Sequence, residues 1–238
     1  MKLLISNQHG ALVMALIPFL YGILLTGPIP QHLFLLFAWL SIYLMSYPLL
    51  NLFKGKNTKE YRKWTVIYGA SSVLFAIPVL MYDWHIIVFI MAMCPFLFIN
   101  IYFTKAKDER NLWNDLAGLA IFAIAGMGAY YFPGRIFDEK IYWVAIYPSL
   151  FFIGTTLYIK SVMRERKNPN YLYSSIIFHL LCVVGFLIYR EYVIAIGFLL
   201  ALIRAIYLPY KHLPVKQTGV IEFIISGIFF IILLITAL

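Results

Sequence analysis

Long apolar runs separated by short polar breaks set the pattern of this chain. A bilayer-spanning helix needs roughly 17–25 mostly apolar residues, and nine such segments follow one another. They lie at about Gly10–Thr26, Gln31–Phe53, Trp64–Tyr82, His85–Phe103, Asn114–Phe132, Ile141–Ile159, Tyr171–Tyr189, Tyr192–Leu208 and Gly219–Leu238. The stretch "GPIP", Gly27 to Pro30, ends the first. "YDWH" and "YREY" are very short turns, so the helices they join run antiparallel. None of the runs alternates apolar and polar residues as a barrel strand would. Helices satisfy every backbone amide within one segment, which hydrocarbon demands. The predicted fold class is therefore all-α, a polytopic transmembrane bundle of nine spans forming one domain over 1–238.

Composition supports the same reading. The chain is 63% hydrophobic and 12% charged, whereas a soluble domain is nearer 25% charged. A soluble fold has too little interior to hide so much apolar side chain. A cleaved signal peptide is a poor fit, because Asn7, Gln8 and His9 break the first apolar stretch and no small-residue cleavage site follows. Cys94 and Cys182 sit in apolar runs and read as small buried hydrophobes. The aromatic residues, 18% of the chain, mostly serve the interfacial belts, with Trp39 and several tyrosines in that role.

The formal charge of +9 takes its meaning from its placement. Sixteen of the 19 Lys and Arg residues fall in alternate connections, beginning with Lys2; Arg135, Lys140 and Arg190 make up the other set. The positive-inside bias places the amino terminus in the cytoplasm and, with nine spans, the carboxy terminus outside. Positive charge spread along loops beside a bilayer meets anionic lipid headgroups, which argues against a nucleic-acid partner.

Three stretches, "QHGALVMALIPFLYG" (Gln8–Gly22), "KDERNLWNDLAGLA" (Lys107–Ala120) and "SVMRERKNP" (Ser161–Pro169), resemble the YwiC-like bacterial membrane proteins. Leu12 stands where that family usually has Trp. The resemblance implies a multi-pass protein of the bacterial inner (cytoplasmic) membrane and brings no settled activity. A more distant similarity is to the UbiA-type prenyltransferases, also of nine spans. Pro18 with Gly22 resembles their first-span Pro-x-x-x-Gly pattern, and "YFTKAKDERNLWNDLAG" resembles the loop after their fourth span. That family holds magnesium on two Asp-rich motifs. Here Asn51 is followed by no Asp, and Lys160, Arg164, Arg166 and Lys167 occupy the second position. Magnesium needs anionic oxygen ligands, so prenyl transfer is in doubt, while direct phosphate binding by Lys and Arg needs no metal. No cofactor is expected.

Four groups carry candidate chemistry. Gln8 and His9 stand at the mouth of the first span, either as a headgroup contact or as a helix cap. In Lys107–Asp115, a helix would place Arg110 with Asn114 and Asn111 with Asp115 on shared faces. This loop reads either as an internally paired cap or as a ligand site, the latter because Asn114 and Asp115 enter the span. The small residues that follow, Ala117 to Ala129, should let the fifth helix pack closely in the middle of the bundle. Lys160, Arg164 and Arg166 end the sixth span, where cations suit the helix dipole, set topology, or bind an anionic headgroup. Within the spans Asn51, Asn100, His179, Arg204 and Glu222 are costly, and Arg204 and Glu222 should pair.

These residues predict a cytoplasm-facing polar pocket of Gln8, His9, Asn51, Lys54, Lys105, Arg110, Asn114, Asp115, Lys160, Arg164, Arg166 and Glu222. Its expected occupant is a membrane lipid or another amphiphile with an anionic or polar head, such as an isoprenoid or quinone-like ligand. A transporter or permease, and a non-catalytic membrane assembly subunit, are the alternatives.

Overall fold

The absence of water forces each backbone N–H to bond within its own segment, and the chain responds with helices. The computed structural model describes residues 3–6, 9–56 and 58–237; Gln8 lies outside them. Among the described residues there are nine α-helices and no strand. They are α1 (His9–Thr26), α2 (Gln31–Phe53), α3 (Lys59–Tyr82), α4 (Ile87–Lys105), α5 (Leu112–Tyr131), α6 (Glu139–Ile159), α7 (Pro169–Ile188), α8 (Tyr192–Tyr207) and α9 (Val215–Ala237). Eight of the nine are long and apolar enough to cross a membrane; the apolar stretch of α1, Gly10–Thr26, is shorter. Large apolar side chains point outward along them, with Met81 83%, Phe98 68% and Ile188 74% exposed. Such a surface suits lipid and not water.

Helix starts follow capping chemistry. Thr58 accepts from the Tyr61 amide at 3.2 Å, so α3 begins at Lys59, ahead of the expected Trp64. Asn111 accepts from the Trp113 amide at 3.0 Å and starts α5 at Leu112. Residues 106–111 are therefore turn and loop, with Lys107 at a left-handed φ of 58°. This corrects the expectation of a helix there: Arg110 lies in the loop and Asn111 is itself the cap, so neither sits within the helix that carries Asn114 and Asp115.

The chain divides into two compact units, Met1–Ala145 and Ile146–Leu238, with the boundary inside α6. In the first unit α2 packs along α3, and α5 packs against both α1 and α4. The α1–α5 crossing is very close. A Cβ added to Gly22 would lie 2.3 Å from the Gly126 carbonyl oxygen, and one on Gly126 would lie 2.7 Å from that of Pro18. The small-residue stripe of α5 thus meets the Pro18–Gly22 turn of α1 backbone to backbone.

Hydrogen bonds fix the neighbours of this crossing. Trp39 on α2 is buried and donates its indole N–H to the Ala15 carbonyl at 3.1 Å. It also packs against Phe19 and Phe122, so its role is in the core and not in an interfacial belt. Buried His32 accepts from the Ile29 amide at Nδ1, 3.0 Å away. Its Nε2 therefore carries the proton and donates to the Ala129 carbonyl at 3.0 Å. Ser72 donates to the Ala38 carbonyl at 3.3 Å, linking α3 to α2.

In the second unit α8 packs against α7 and α9. Phe229 of α9 stacks on Phe151 of α6 at 3.9 Å and fills the space left by Gly197 of α8. The end of α6 continues as a π-helical turn, Lys160–Arg164. Cys182 is buried as expected, while Cys94 is exposed on α4; an apolar neighbourhood in sequence does not separate lipid-facing from buried positions.

Candidate functional site

Of the predicted site residues described, His9, Asn51, Lys54, Lys105, Arg110, Asn114 and Asp115 lie in the first unit and Lys160, Arg164, Arg166 and Glu222 in the second. In the first unit the end of α2, the end of α4 and the start of α5 are joined by side chains. Lys54 pairs with Glu109 at 2.6 Å. Asn114 donates to the Glu109 carbonyl at 2.9 Å and receives Asn100 Nδ2 on its side-chain oxygen at 2.8 Å. Asn100 also reaches the Asn114 carbonyl at 2.8 Å. Lys105 sits over the Phe53 ring, 5.5 Å from its centroid. Asn111 donates to Asp108 at 2.8 Å. Asp115 lies in the first turn of α5, where a negative charge suits the helix dipole. Asn51 bonds back to the Tyr47 carbonyl at 2.9 Å, within its own helix. His9 begins α1. Lys54, Glu109, Asn114 and Asn100 thus form an internally bonded cap, and Arg110 is an exposed member of its loop.

A second polar knot of the first unit joins the α3–α4 turn to the loop after α5. Asp83 Oδ1 accepts from the His85 amide at 3.1 Å and from His85 Nδ1 at 2.7 Å, and meets Arg135 at 3.1 Å. Burial raises the Asp83 carboxyl, but the His85 bonds and the Arg135 charge outweigh it and hold its pKa below the ordinary value.

The second unit contains more deeply buried charge. Lys160, at 2% exposure, lies in the π-turn, where the Glu165 amide reaches back to its carbonyl at 2.7 Å. Its ammonium stands 5.8 Å from the Tyr171 ring centroid on α7. The aromatic face is placed for a cation–π contact with it. Arg164 and Arg166 are exposed at the same helix end, and Arg166 Nε donates to the Val162 carbonyl at 2.9 Å.

Deeper in this unit Arg204 of α8 pairs through Nη1 with Glu222 of α9, as expected. Its guanidinium also lies 4.4 Å above the Tyr158 ring of α6. Nη2 approaches Thr155 Oγ1 at 3.5 Å and His179 Nε2 of α7 at 3.4 Å, both at the long limit of a hydrogen bond. His179 Nδ1 bonds the Ser175 carbonyl at 2.7 Å, so Nδ1 carries the proton and Nε2 accepts. Gly154 gives the ring its place: a Cβ there would lie 2.6 Å from His179 Nε2. Thr155, Tyr158 and Ser175 were not singled out from sequence. Their signal is weak, a scatter of hydroxyls among apolar residues of α6 and α7.

A family model described as YwiC-like protein matches residues 5–130. The chain belongs to the YwiC-like protein family. A Haemophilus influenzae relative, named only as an uncharacterized protein, is 63% identical over 238 residues and all of both chains. The Bacillus subtilis relative, "Uncharacterized protein YwiC", is 35% identical over 231 residues, 97% of this chain and 96% of its own. No solved structure matches. The YwiC-like match contains the bonded cap of the first unit, whereas Lys160, Arg164, Arg166 and Glu222 lie beyond it. With its helices, this YwiC-like chain is a multi-pass membrane protein.

Proposed function

We propose that this YwiC-like protein resides in the cytoplasmic membrane, amino terminus inside and carboxy terminus outside, and binds an amphiphile with an anionic head. The head meets Lys160, Arg164 and Arg166 at the shared end of α6 and α7. One observation carries the reading: Lys160 is held at 2% exposure within a π-turn. π-turns are rare and recur at functional sites. An ammonium kept there beside two exposed guanidinium groups is suited to phosphate, which Lys and Arg bind without a metal. The basic bias of alternate connections supports the orientation. In the first unit the polar residues are largely bonded to one another, which favours a structural cap there.

Native mass spectrometry of gently solubilised protein tests the headgroup site. The wild type should retain anionic lipid or a prenyl compound, and Lys160→Met and Arg164→Ala should lose it. Unchanged retention in Arg164→Ala sinks the assignment. Impermeant labelling of tagged termini tests the orientation, which fails if both ends react on one side. The Arg204–Glu222 pair within the second unit favours a second reading, transport. Counterflow uptake into liposomes measures that directly.

A further inference from the structure

The Arg204 cluster has a donor and acceptor pattern that the ion pair leaves incomplete. A guanidinium offers five N–H groups, and its Nε–Nη2 edge is the fork that grips a carboxylate or phosphate with two parallel bonds. On Arg204, Nη1 is taken by Glu222. Nε has no hydrogen-bond partner, and Nη2 has only the long contacts to Thr155 and His179. The side chain of Arg204 is 1% exposed. One forked edge of a buried guanidinium is thus underused. On the other side of the pair, Glu222 Oε1 is also buried without a partner.

The charges link these two facts. Arg204 and Glu222 together are neutral. A monoanion added at the Nε–Nη2 edge would leave the cluster with a net negative charge inside the span, which is costly. One proton on Glu222 Oε1 restores neutrality. The other groups that face the pair cannot take that proton as readily. Tyr158 of α6 lies beneath the guanidinium as a ring. His179 of α7 already carries its proton on Nδ1, and a second on Nε2 would put a cation 3.4 Å from Arg204. Arg204 of α8 is itself the cation, and Thr155 is a neutral hydroxyl. Glu222 alone combines a vacant oxygen with a charge change of the right sign.

We infer that Arg204 and Glu222 form a proton-coupled anion site, Arg204 taking a carboxylate or phosphate monoanion on its Nε–Nη2 edge while Glu222 Oε1 takes one proton. No covalent bond to the ligand forms; the proton comes from water and returns to it when the anion leaves. The anion comes either from a lipid headgroup or from a free solute. The site uses other residues than the Lys160 headgroup site, and either can stand without the other.

Calorimetry on the full chain in maltoside micelles tests the inference, using benzoate and dihexanoyl phosphatidylglycerol as probes. Both are fully ionised at pH 7. Titrations in Tris and in imidazole, which differ in ionisation enthalpy, give the number of protons taken up. The expected result is about one proton per bound anion, with affinity falling about tenfold per pH unit in the alkaline range. Glu222→Gln should bind with no proton uptake and no such pH dependence. Arg204→Lys, which lacks the fork, should bind at least tenfold more weakly. Binding of phosphatidylglycerol but not benzoate identifies a headgroup, and binding of benzoate identifies a solute. Failure of both probes to bind, binding without proton uptake, or uptake that persists in Glu222→Gln overturns the inference. If Arg204→Lys does not fold, the Glu222→Gln comparison decides alone.

Discussion

Replacing Gly126 by alanine tests the α1–α5 crossing at its narrowest point. The new Cβ would stand 2.7 Å from the Pro18 carbonyl oxygen, 2.8 Å from its carbon and 3.0 Å from Pro18 Cβ. Ordinary contact begins near 3.4 Å, so the helices must part by about 0.7 Å. The obstructing atoms are backbone and a proline ring, which cannot swing aside. Overpacking of this kind costs about 1–3 kcal/mol. Alanine also returns up to about 1 kcal/mol of helix propensity. Gly118→Ala on the same helix separates the two effects, because a Cβ there meets nothing within 4 Å.

Thermal unfolding in detergent, read by the loss of the monodisperse chromatographic peak, supplies the comparison. Taking about 2–4 °C per kcal/mol for a chain of this size, Gly126→Ala should melt roughly 2–12 °C below Gly118→Ala. Gly22→Ala should behave in the same way, since its Cβ would lie 2.3 Å from the Gly126 oxygen. The double variant should lose less than the two losses added, because a crossing already parted for one methyl has room for the next. Equal melting of Gly126→Ala and Gly118→Ala would refute the backbone contact.

Three further outcomes follow from the same structure. His32→Ala strands the buried Ala129 carbonyl and the part-buried Ile29 amide, and should destabilise by about 1–3 kcal/mol, measured by the same melt. Asp83 has a lowered folded pKa, so its contribution is complete above the ordinary carboxyl value of 3.8 and is lost as pH falls through the lowered value. Wild-type melting should therefore drop below about pH 4 by more than that of Asp83→Asn, which lacks the linkage. The Lys54–Glu109 pair is 26% and 43% exposed. Glu109→Ala should cost under about 1 kcal/mol, and less in high salt, while the exchanged pair Lys54→Glu with Glu109→Lys should recover most of the loss from Lys54→Glu alone.

What the sequence made legible, and what it hid, follows from how a membrane chain encodes contact. The spans were legible because length and polarity alone define them. The Arg204–Glu222 pair was legible because a charge inside a span needs a partner, and α8 and α9 offered one of each sign. The slim face of α5 announced a close approach, and Pro18 with Gly22 stood out in α1, yet nothing in the sequence tied one to the other. Soluble helices reveal their inward faces by amphipathic periodicity. Helices in lipid are apolar all round, so the stripe that packs and the stripe that faces lipid look alike. Trp39 and Cys94 were misplaced for that reason, in opposite directions. The helix start at Leu112 was readable in principle, since Asn111 is a strong cap residue, but the charged residues beside it suggested helical pairing.

The same loss of periodicity explains why His179, Thr155 and Tyr158 could not be assigned to Arg204 from sequence. Polar residues in a span carry information that apolar ones there do not, because each must find a partner or a function. Around Arg204 most of these needs are met: His179 takes the Ser175 carbonyl, Tyr158 receives the guanidinium on its face, and Glu222 Oε2 closes the ion pair. Arg204 Nε and Glu222 Oε1 are left over within the ion pair itself, one donor and one acceptor, and the neutral Ser175 hydroxyl is also without a partner. A pair kept for binding and not for stability has a use for that remainder and should tolerate loss of both charges together without loss of fold. Arg204→Met with Glu222→Leu, similar in volume and free of the buried charge, should then melt no lower than wild type, while abolishing the proton-linked binding of anions. A double variant that still takes up a proton with the anion would show that the linked groups lie elsewhere.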